Sequence, residues 1–243
     1  MMRIIVVLAV LFSMQSASAA GGGEALEHAG ANVHDLASVQ RGAKLFMNYC
    51  HSCHSAKFMR YQRLAQDLQL PEDLVEQYLI FSDAKITDYM ISAMPPESEQ
   101  WFGKAPPDLS LVARSRGPDW IYSFLKGYYL SADGWNNTVL PNPAMPHVLW
   151  ELQGIQRAVT ETYTDEFGES HTRIKELVID RPGRQSGEEY ERTLRDLVAF
   201  LIYLGEPAIL KRTRIGIWVI LYLVIFSLFA YLLYQEYWRD VKK

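Results

Sequence analysis

Cysteine is scarce in this sequence: the chain has 243 residues and two cysteines, which lie three positions apart in the stretch YCHSCHS. A disulfide framework needs several cysteine pairs spread along the chain, so the sequence does not describe a disulfide scaffold. Because no other cysteine is present, the role of these two must be explained by the residues around them.

The sequence also lacks an excess of basic residues and lacks internal repeats. Lys and Arg number 24 against 28 Asp and Glu, which gives a net charge of -4. Domains that bind nucleic acid carry a basic excess, so we expect no nucleic-acid partner. Apart from three glycines at 21–23 the sequence has no low-complexity stretch, and it has no internal repeat, which argues against a repeat architecture.

Three kinds of site contain two cysteines separated by two residues, and the residue after the second cysteine distinguishes them. A dithiol redox site makes no use of the histidine that follows here. A zinc site needs a fourth ligand, so Cys50, Cys53 and His54 would have to recruit a distant His147 or His171. Covalent haem attachment uses all three residues, because both thiols bond to the porphyrin and the imidazole binds the iron. The motif therefore predicts one covalently bound haem c with His54 as an axial ligand.

The N-terminal residues 1–19 have the pattern of a secretory signal peptide. Arg3 gives a charged start, residues 4–12 form an apolar core too short to span a bilayer, and residues 17–19 form a small-residue cleavage site. An uncleaved anchor is the alternative. Export would bring the two thiols into an oxidising compartment, where haem attachment also explains why they do not simply form a disulfide.

Near the C-terminus, residues 215–234 are uncharged and about long enough to cross the hydrocarbon core as a helix. Basic residues flank this segment on both sides, so only the signal peptide orients it. We therefore expect a haem domain over residues 20–210 on the periplasmic side of a bacterial inner membrane. An anchor with a short cytoplasmic tail follows over residues 211–243.

The segment between the two ends reads as mainly helical. Apolar spacing predicts a helix that Ser38 caps and that leads into Cys50, and Ser186 with Glu189 predicts a capping box at the start of another. Shorter helices are predicted over residues 71–81 and 118–129. Around residues 165–168, β-branched residues flank a polar turn, which predicts a β-hairpin that projects from the helical domain.

A haem iron that carries electrons usually takes a second axial ligand, and methionine is a common one. Met94 and Met145 are the two candidates, because each lies in a loop-like stretch and is followed by proline. Their spacing does not choose between them, and His147 is a competing ligand. His51, inside the motif, is expected to face solvent.

Several stretches together resemble the cytochrome c1 family, whose members are the haem subunit of the cytochrome bc1 complex. They are RGAKLFMNYCHSCHS, GKAPPDLSLVARSRG, PNPAMPHVLWELQG and RDLVAFLIYLGEP, the last just before the single anchor. The resemblance implies that Met145 is the sixth ligand and that the Pro107 carbonyl accepts a hydrogen bond from His54. It also implies that Arg116 binds a haem propionate, with Arg114 as the alternative.

The resemblance also implies a function. Such a subunit takes an electron from the Rieske iron–sulfur protein after quinol is oxidised at cytochrome b, and it passes the electron to a soluble or tethered cytochrome c. It is not an enzyme by itself. The alternatives are a free-standing membrane-anchored cytochrome that serves a terminal oxidase, and a haem sensor with an open sixth position. The expected fold is a mainly α, cytochrome c-like domain with a β-hairpin insertion and one C-terminal transmembrane helix.

Acidic residues are concentrated in the predicted exported domain. Residues 20–210 hold 26 acidic and 17 basic side chains, which leaves about nine net negative charges. Such a charge can steer a basic redox partner to the haem edge, although an acidic surface can also serve solubility alone. Two clusters could form the docking face: Asp165, Glu166 and Glu169 in the hairpin turn, or Glu97 and Glu99 near the proline-rich loop.

Overall fold

The computed structural model describes residues 26–95, 97–165 and 168–240. The predicted signal peptide and the last residues of the predicted tail lie outside these ranges. The helices are α1 (Leu36–Tyr49), α2 (Tyr61–Asp67), α3 (Glu72–Leu79), α4 (Ser98–Phe102), α5 (Val112–Ser115), α6 (Pro118–Lys126), α7 (Trp150–Gln153), α8 (Gly187–Gly205) and α9 (Ile209–Tyr237). The strands are β1 (Ala56–Arg60), β2 (Tyr89–Met90), β3 (Tyr128–Ser131), β4 (Gly134–Asn137), β5 (Gly154–Thr164) and β6 (Ser170–Pro182). The described domain is mainly α, as expected.

The core is built around the crossing of α1 and α8. Gly42 lies at the crossing, where a Cβ atom would come within 2.0 Å of the Asp196 backbone oxygen. The missing side chain therefore lets the two backbones touch. One turn further along α1, the rings of Phe46 and Phe200 pack with their centroids 5.3 Å apart. The close approach fixes the end of α1, from which the cysteine motif starts.

The start of α1 differs from the prediction that Ser38 caps it. The helix begins at Leu36, and the side chain of Asp35 is the cap. Ser38 lies inside the first turn, buried, and its hydroxyl donates to Asp196 at 2.6 Å. The same carboxylate accepts two hydrogen bonds from Arg41, at 2.6 and 2.8 Å. Local sequence suggested the wrong cap because the true partner of Ser38 lies 158 residues away.

Helix α8 begins as predicted. Ser186 and Glu189 form a reciprocal capping box, which satisfies backbone N–H groups that an uncapped helix leaves unpaired. The helix ends at Gly205. Its buried face consists mostly of apolar side chains, which include Leu194, Leu197, Val198, Phe200 and Leu201.

The predicted β-hairpin is confirmed, and it is longer than the sequence pattern indicated. Strands β5 and β6 pair antiparallel from Gly154 opposite Pro182 to Thr164 opposite Ser170. At the base Gly154 has φ +91°, and a Cβ there would lie 2.3 Å from the Arg181 oxygen. Glycine is therefore required where the hairpin leaves α7.

Two shorter antiparallel pairs, β1 with β2 and β3 with β4, were not predicted. Strand β2 has two residues and β4 has four, which is too short for a period-two pattern to appear in the sequence. The β3–β4 pair places Tyr128 opposite Asn137.

Helix α9 contains the predicted membrane segment. Within the part of the chain that the structure describes, it is the one helix long and apolar enough to cross a membrane, over Arg214–Tyr237. Two carboxylates connect its first turn to the haem domain. Glu206 pairs with both Arg114 and Arg212, and Asp67 lies 3.5 Å from the Lys211 ammonium. The domain division at residues 210 and 211 stays a prediction.

Candidate functional site

The predicted attachment residues lie on one tight turn, residues 50–54, which we call the attachment turn. Cys50 closes α1, because its N–H donates to the Phe46 carbonyl at 2.9 Å. The N–H groups of Cys53 and His54 then both donate to the Cys50 carbonyl, at 3.1 and 2.8 Å. Cys50 is buried and Cys53 is partly exposed. These backbone hydrogen bonds therefore hold the two thiols and the imidazole together on one closed turn.

The imidazole of His54 is fixed by a hydrogen bond to the Pro107 carbonyl, with 2.7 Å between Nδ1 and the oxygen. A carbonyl can only accept, so Nδ1 carries the proton and Nε2 keeps its lone pair. Burial lowers the pKa of His54, which favours the neutral ring. A neutral imidazole with a free Nε2 is the form that binds a metal, and a bond at the other nitrogen orients it.

Burial raises the pKa of the Cys50 thiol to about 12, with a smaller contribution from Cys53. A dithiol redox centre relies on a cysteine whose pKa is lowered, so a redox role is not favoured. A thioether bond removes the need to ionise altogether. The residues of the attachment turn therefore fit a covalently bound haem.

The zinc alternative also lacks its fourth ligand. His147 is enclosed by aromatic rings, and His171 lies on the hairpin, bonded to Asp165 at 2.8 Å. Among the described residues, the group whose ligand atoms all lie within 4.8 Å of one another is Asp165, Glu169 and His171. It includes no residue of the attachment turn.

Two other segments are hydrogen bonded to the attachment turn and the residue that follows it. The Leu109 N–H, in the PPDLS stretch, donates to the Ser55 carbonyl at 2.8 Å. From the other segment, the Ser92 N–H donates to the Ser55 hydroxyl at 2.9 Å, and the Ser92 hydroxyl donates to the Cys53 carbonyl at 3.3 Å. These bonds hold one side of the site in place by contacts that are distant in sequence.

His51 was expected to face solvent, and that prediction is wrong. Its ring is buried, with Nδ1 3.2 Å from the His54 carbonyl and Nε2 2.9 Å from the Tyr61 hydroxyl. The ring also lies beside Phe46, with centroids 5.9 Å apart. His51 therefore contacts the backbone of His54. No sequence pattern signals this contact, because Tyr61 is not part of any motif.

The two methionine candidates lie in different loops, and both side chains are half-buried. Met145 is in the irregular segment between β4 and α7, residues 138–149, which we call the methionine loop. Its carbonyl accepts a hydrogen bond from the Tyr128 hydroxyl at 3.0 Å. Met94 follows Ser92, which is bonded to the attachment turn. The Met94 segment is therefore tied to the turn that carries the cysteines, and the methionine loop is tied to Tyr128.

His147, the competing ligand, is held away from solvent by aromatic rings. It stacks on Tyr128 with centroids 4.9 Å apart and an interplanar angle of 7°, and it meets the edge of Trp135 at 5.2 Å. Burial lowers its pKa to about 4, although the nearby Gln153 side chain acts in the opposite direction. A ring covered on its face and edge serves packing, which does not favour His147 as an iron ligand.

The two arginine candidates have different surroundings. Arg114 pairs with Glu206 at 3.3 Å, and its side chain passes close to Gly205. Arg116 lies over the Trp120 ring, with 5.1 Å between the guanidinium carbon and the ring centroid. Within the described ranges Arg116 has no carboxylate partner. Of the two arginines, Arg116 is therefore the one whose charge is available to an anionic group.

The sequence matches one protein family over most of its length. A model described as the Cytochrome C1 family matches residues 27–241. The chain belongs to the cytochrome c1 family. It is 46% identical to cytochrome c1 of Allochromatium vinosum over 99% of this chain and 100% of that one. It is 26% identical to cytochrome c1 of Rhodospirillum rubrum over 86% and 84% of the two chains.

A third relative carries a different name. The chain is 42% identical to a Nitrosomonas europaea protein called ammonia monooxygenase gamma subunit, over 96% of each chain. As a cytochrome c1 family member, the present chain binds one covalent haem c and is the electron-transfer subunit of the cytochrome bc1 complex, with partners such as cytochrome b and the Rieske protein. It is membrane-anchored and is not an enzyme by itself. Neither the free-standing cytochrome nor the haem sensor finds support.

Proposed function

We propose that the haem domain lies on the periplasmic side of a bacterial inner membrane and passes electrons from the Rieske protein to a soluble or tethered cytochrome c. Cys50 and Cys53 hold the haem, and His54 and Met145 are its axial ligands. Arg116 pairs with a propionate. The bound haem supplies one-electron redox chemistry, and the chain supplies ligands, burial and a docking face.

The observation that carries this proposal is the hydrogen bond between His54 and Pro107. It selects one tautomer, leaves Nε2 free and strengthens the imidazole as a ligand. It also joins the CxxCH motif to the PPDLS stretch, two regions of sequence 53 residues apart.

Met145 is preferred over Met94 because an iron ligated by His54 needs its second ligand from the opposite face of the ring. The segment with Met94 is hydrogen bonded through Ser92 to the Cys53 carbonyl, in the same turn that supplies the histidine. The methionine loop belongs to a different part of the domain, packed on α6 and β3 through Tyr128. This arrangement supports Met145 as the partner of His54.

The periplasmic orientation rests on the signal peptide pattern at residues 1–19 and on the anchor at the other end. The acceptor is inferred from charge. An acidic domain with about nine net negative charges attracts a basic protein, and cytochromes c with basic faces are suitable partners.

The test is to purify the protein from membranes in mild detergent, to identify the associated chains and to follow the haem spectrum. Quinol should reduce the haem, a soluble basic cytochrome c should reoxidise it, and carbon monoxide should leave the reduced spectrum unchanged. Reduction without reoxidation by any cytochrome c, either soluble or purified with the membrane complex, would refute the proposed acceptor. A spectral shift with carbon monoxide would show an open sixth position and would refute Met145 as ligand.

A further inference from the structure

Side chains four positions apart form a continuous stack along α6 and into β3. The Arg116 guanidinium lies 5.1 Å from the Trp120 ring, and Trp120 stacks on Phe124 at 4.9 Å with an interplanar angle of 8°. Phe124 meets Tyr128 edge-on at 5.2 Å. The spacing of four places Trp120 and Phe124 on one side of α6, and Arg116 and Tyr128 extend the row beyond its two ends. The stack runs from the candidate propionate arginine to the methionine loop.

Tyr128 ends the stack and contacts the methionine loop in two ways. Its hydroxyl donates to the Met145 carbonyl at 3.0 Å, and its ring stacks on His147 at 4.9 Å. Tyr128 and His147 are both buried, at 1% and 3% exposure. One side chain therefore holds residues 145 and 147, on either side of Pro146.

The rest of the methionine loop shows why this contact matters. The loop has no regular secondary structure over residues 138–149. Asparagines fix its beginning: Asn137 donates to the Phe124 carbonyl at 2.7 Å and accepts from the Val139 and Leu140 N–H groups at 2.9 and 3.2 Å. Asn136 also accepts from the Asn142 N–H at 2.8 Å. Further along the loop, the Tyr128 hydroxyl holds the Met145 carbonyl.

We propose that Tyr128 is a positioning residue for the axial ligand Met145. The inference rests on the proposed function, in which Met145 ligates the iron. The Tyr128 hydroxyl fixes the Met145 carbonyl, and the Tyr128 ring fixes His147. The backbone on both sides of Pro146 is therefore restrained, and the Met145 thioether is presented in one orientation. A loop without this restraint loses the methionine–iron bond more often, and external ligands then compete for the iron.

The test variant is Tyr128→Phe, which keeps the ring and removes the hydroxyl. Its matched control is Tyr190→Phe, because Tyr190 is also buried and also donates to a backbone carbonyl, that of Leu125, at 3.0 Å. Both variants lose a hydrogen bond of the same kind, so both should lose thermal stability. Only Tyr128→Phe should weaken the sulfur-to-iron charge-transfer band of the ferric protein and bind imidazole more tightly, by about two- to tenfold.

Met145→Leu is measured in parallel to separate the two inferences. If Met145→Leu leaves the charge-transfer band intact, Met145 is not the ligand and the proposed function is wrong at this residue. If Met145→Leu abolishes the band while Tyr128→Phe and Tyr190→Phe bind imidazole equally, Tyr128 serves stability alone and the positioning role is wrong. A change confined to Tyr128→Phe, with the band lost in Met145→Leu, supports both.

Discussion

The two sides of the proposed haem site are built in different ways. The attachment turn follows directly from α1, is closed by its own backbone hydrogen bonds and is tied to two other segments. The methionine loop is irregular, and at Met145 it is held by the hydroxyl of one tyrosine. The attachment turn is therefore held by its own backbone and by two distant segments, and the loop proposed to supply the methionine ligand depends on a single tertiary hydrogen bond at Met145.

The difference has a physical reason. The attachment side must present two thiols and an imidazole together, which a helix end followed by a tight turn does in few residues. A second ligand to a bound haem iron would have to come from outside the attachment turn, and the proposed one, Met145, lies in a loop that is distant in sequence. Loops carry such ligands, and the packed elements beneath position them.

The largest effect is expected on the attachment side. The double variant Cys50→Ala/Cys53→Ala removes both covalent bonds, so little or no assembled haem protein should remain. The measurement is haem staining of the chain after denaturing electrophoresis, together with the reduced pyridine haemochrome spectrum. A full c-type spectrum in the double variant would refute covalent attachment. Tyr190→Phe, which touches neither cysteine, should keep the stain and serves as the control.

The sequence predicted the attachment side well and the methionine side poorly. Three residues of a short motif carry the chemistry of attachment, and the resemblance to the family implied the His54–Pro107 hydrogen bond that the structure contains. By contrast, residue types alone left Met94 and Met145 equivalent. The contact that supports Met145 is a hydrogen bond from Tyr128, and a tyrosine in a short strand carries no sequence signal for it.

Two other predictions were wrong for the same reason, because they concern side chains whose partners no sequence pattern reveals. The solvent-facing prediction for His51 was wrong, because its partner Tyr61 and its neighbour Phe46 enclose the ring only after the chain folds. The cap predicted at Ser38 was wrong, because Asp196 accepts from that hydroxyl inside the core. In contrast, the capping box of α8 and the long hairpin depend on residues close in sequence, and both predictions are confirmed.

A smaller effect is expected from the arginines, and it tests whether the stack on α6 reaches the haem. Arg116→Gln should lower the midpoint potential, because a cation near the haem disfavours the extra positive charge of the oxidised state. The change should be about 1 kcal/mol or less, about 40 mV for a one-electron couple, since Arg116 is exposed. Potentiometric titration of the purified protein measures it.

Arg114→Gln is the matched control for that titration. Arg114 pairs with Glu206 beside the anchor, in a partly exposed pair that contributes less than about 1 kcal/mol. Its loss should leave the potential unchanged and reduce the thermal stability slightly. If Arg114→Gln shifts the potential and Arg116→Gln does not, the propionate partner is Arg114.

The smallest effect is expected at the rim of the site, where charge acts at long range. Glu97 and Glu99 are exposed at the start of α4, a few residues after Ser92, which bonds to the attachment turn. Their reversal to lysine should slow the association with a basic cytochrome c on the order of three- to tenfold at low salt. Stopped-flow oxidation of the reduced complex across a salt series measures the rate.

The hairpin provides the matching variant, because Glu169 and Glu176 are also exposed and carry the same charge. Glu166, in the turn between the strands, lies outside the described residues. The hairpin base packs beside β3, and no described hydrogen bond joins the hairpin to the attachment turn. Glu169→Lys/Glu176→Lys should therefore change the rate less than Glu97→Lys/Glu99→Lys does.

At 1 M salt the screening length falls to about 3 Å, so both variants should then match the unmodified protein. Equal salt slopes for all three proteins would show that the acidic surface serves solubility, and a larger effect from the hairpin variant would move the docking face to the hairpin.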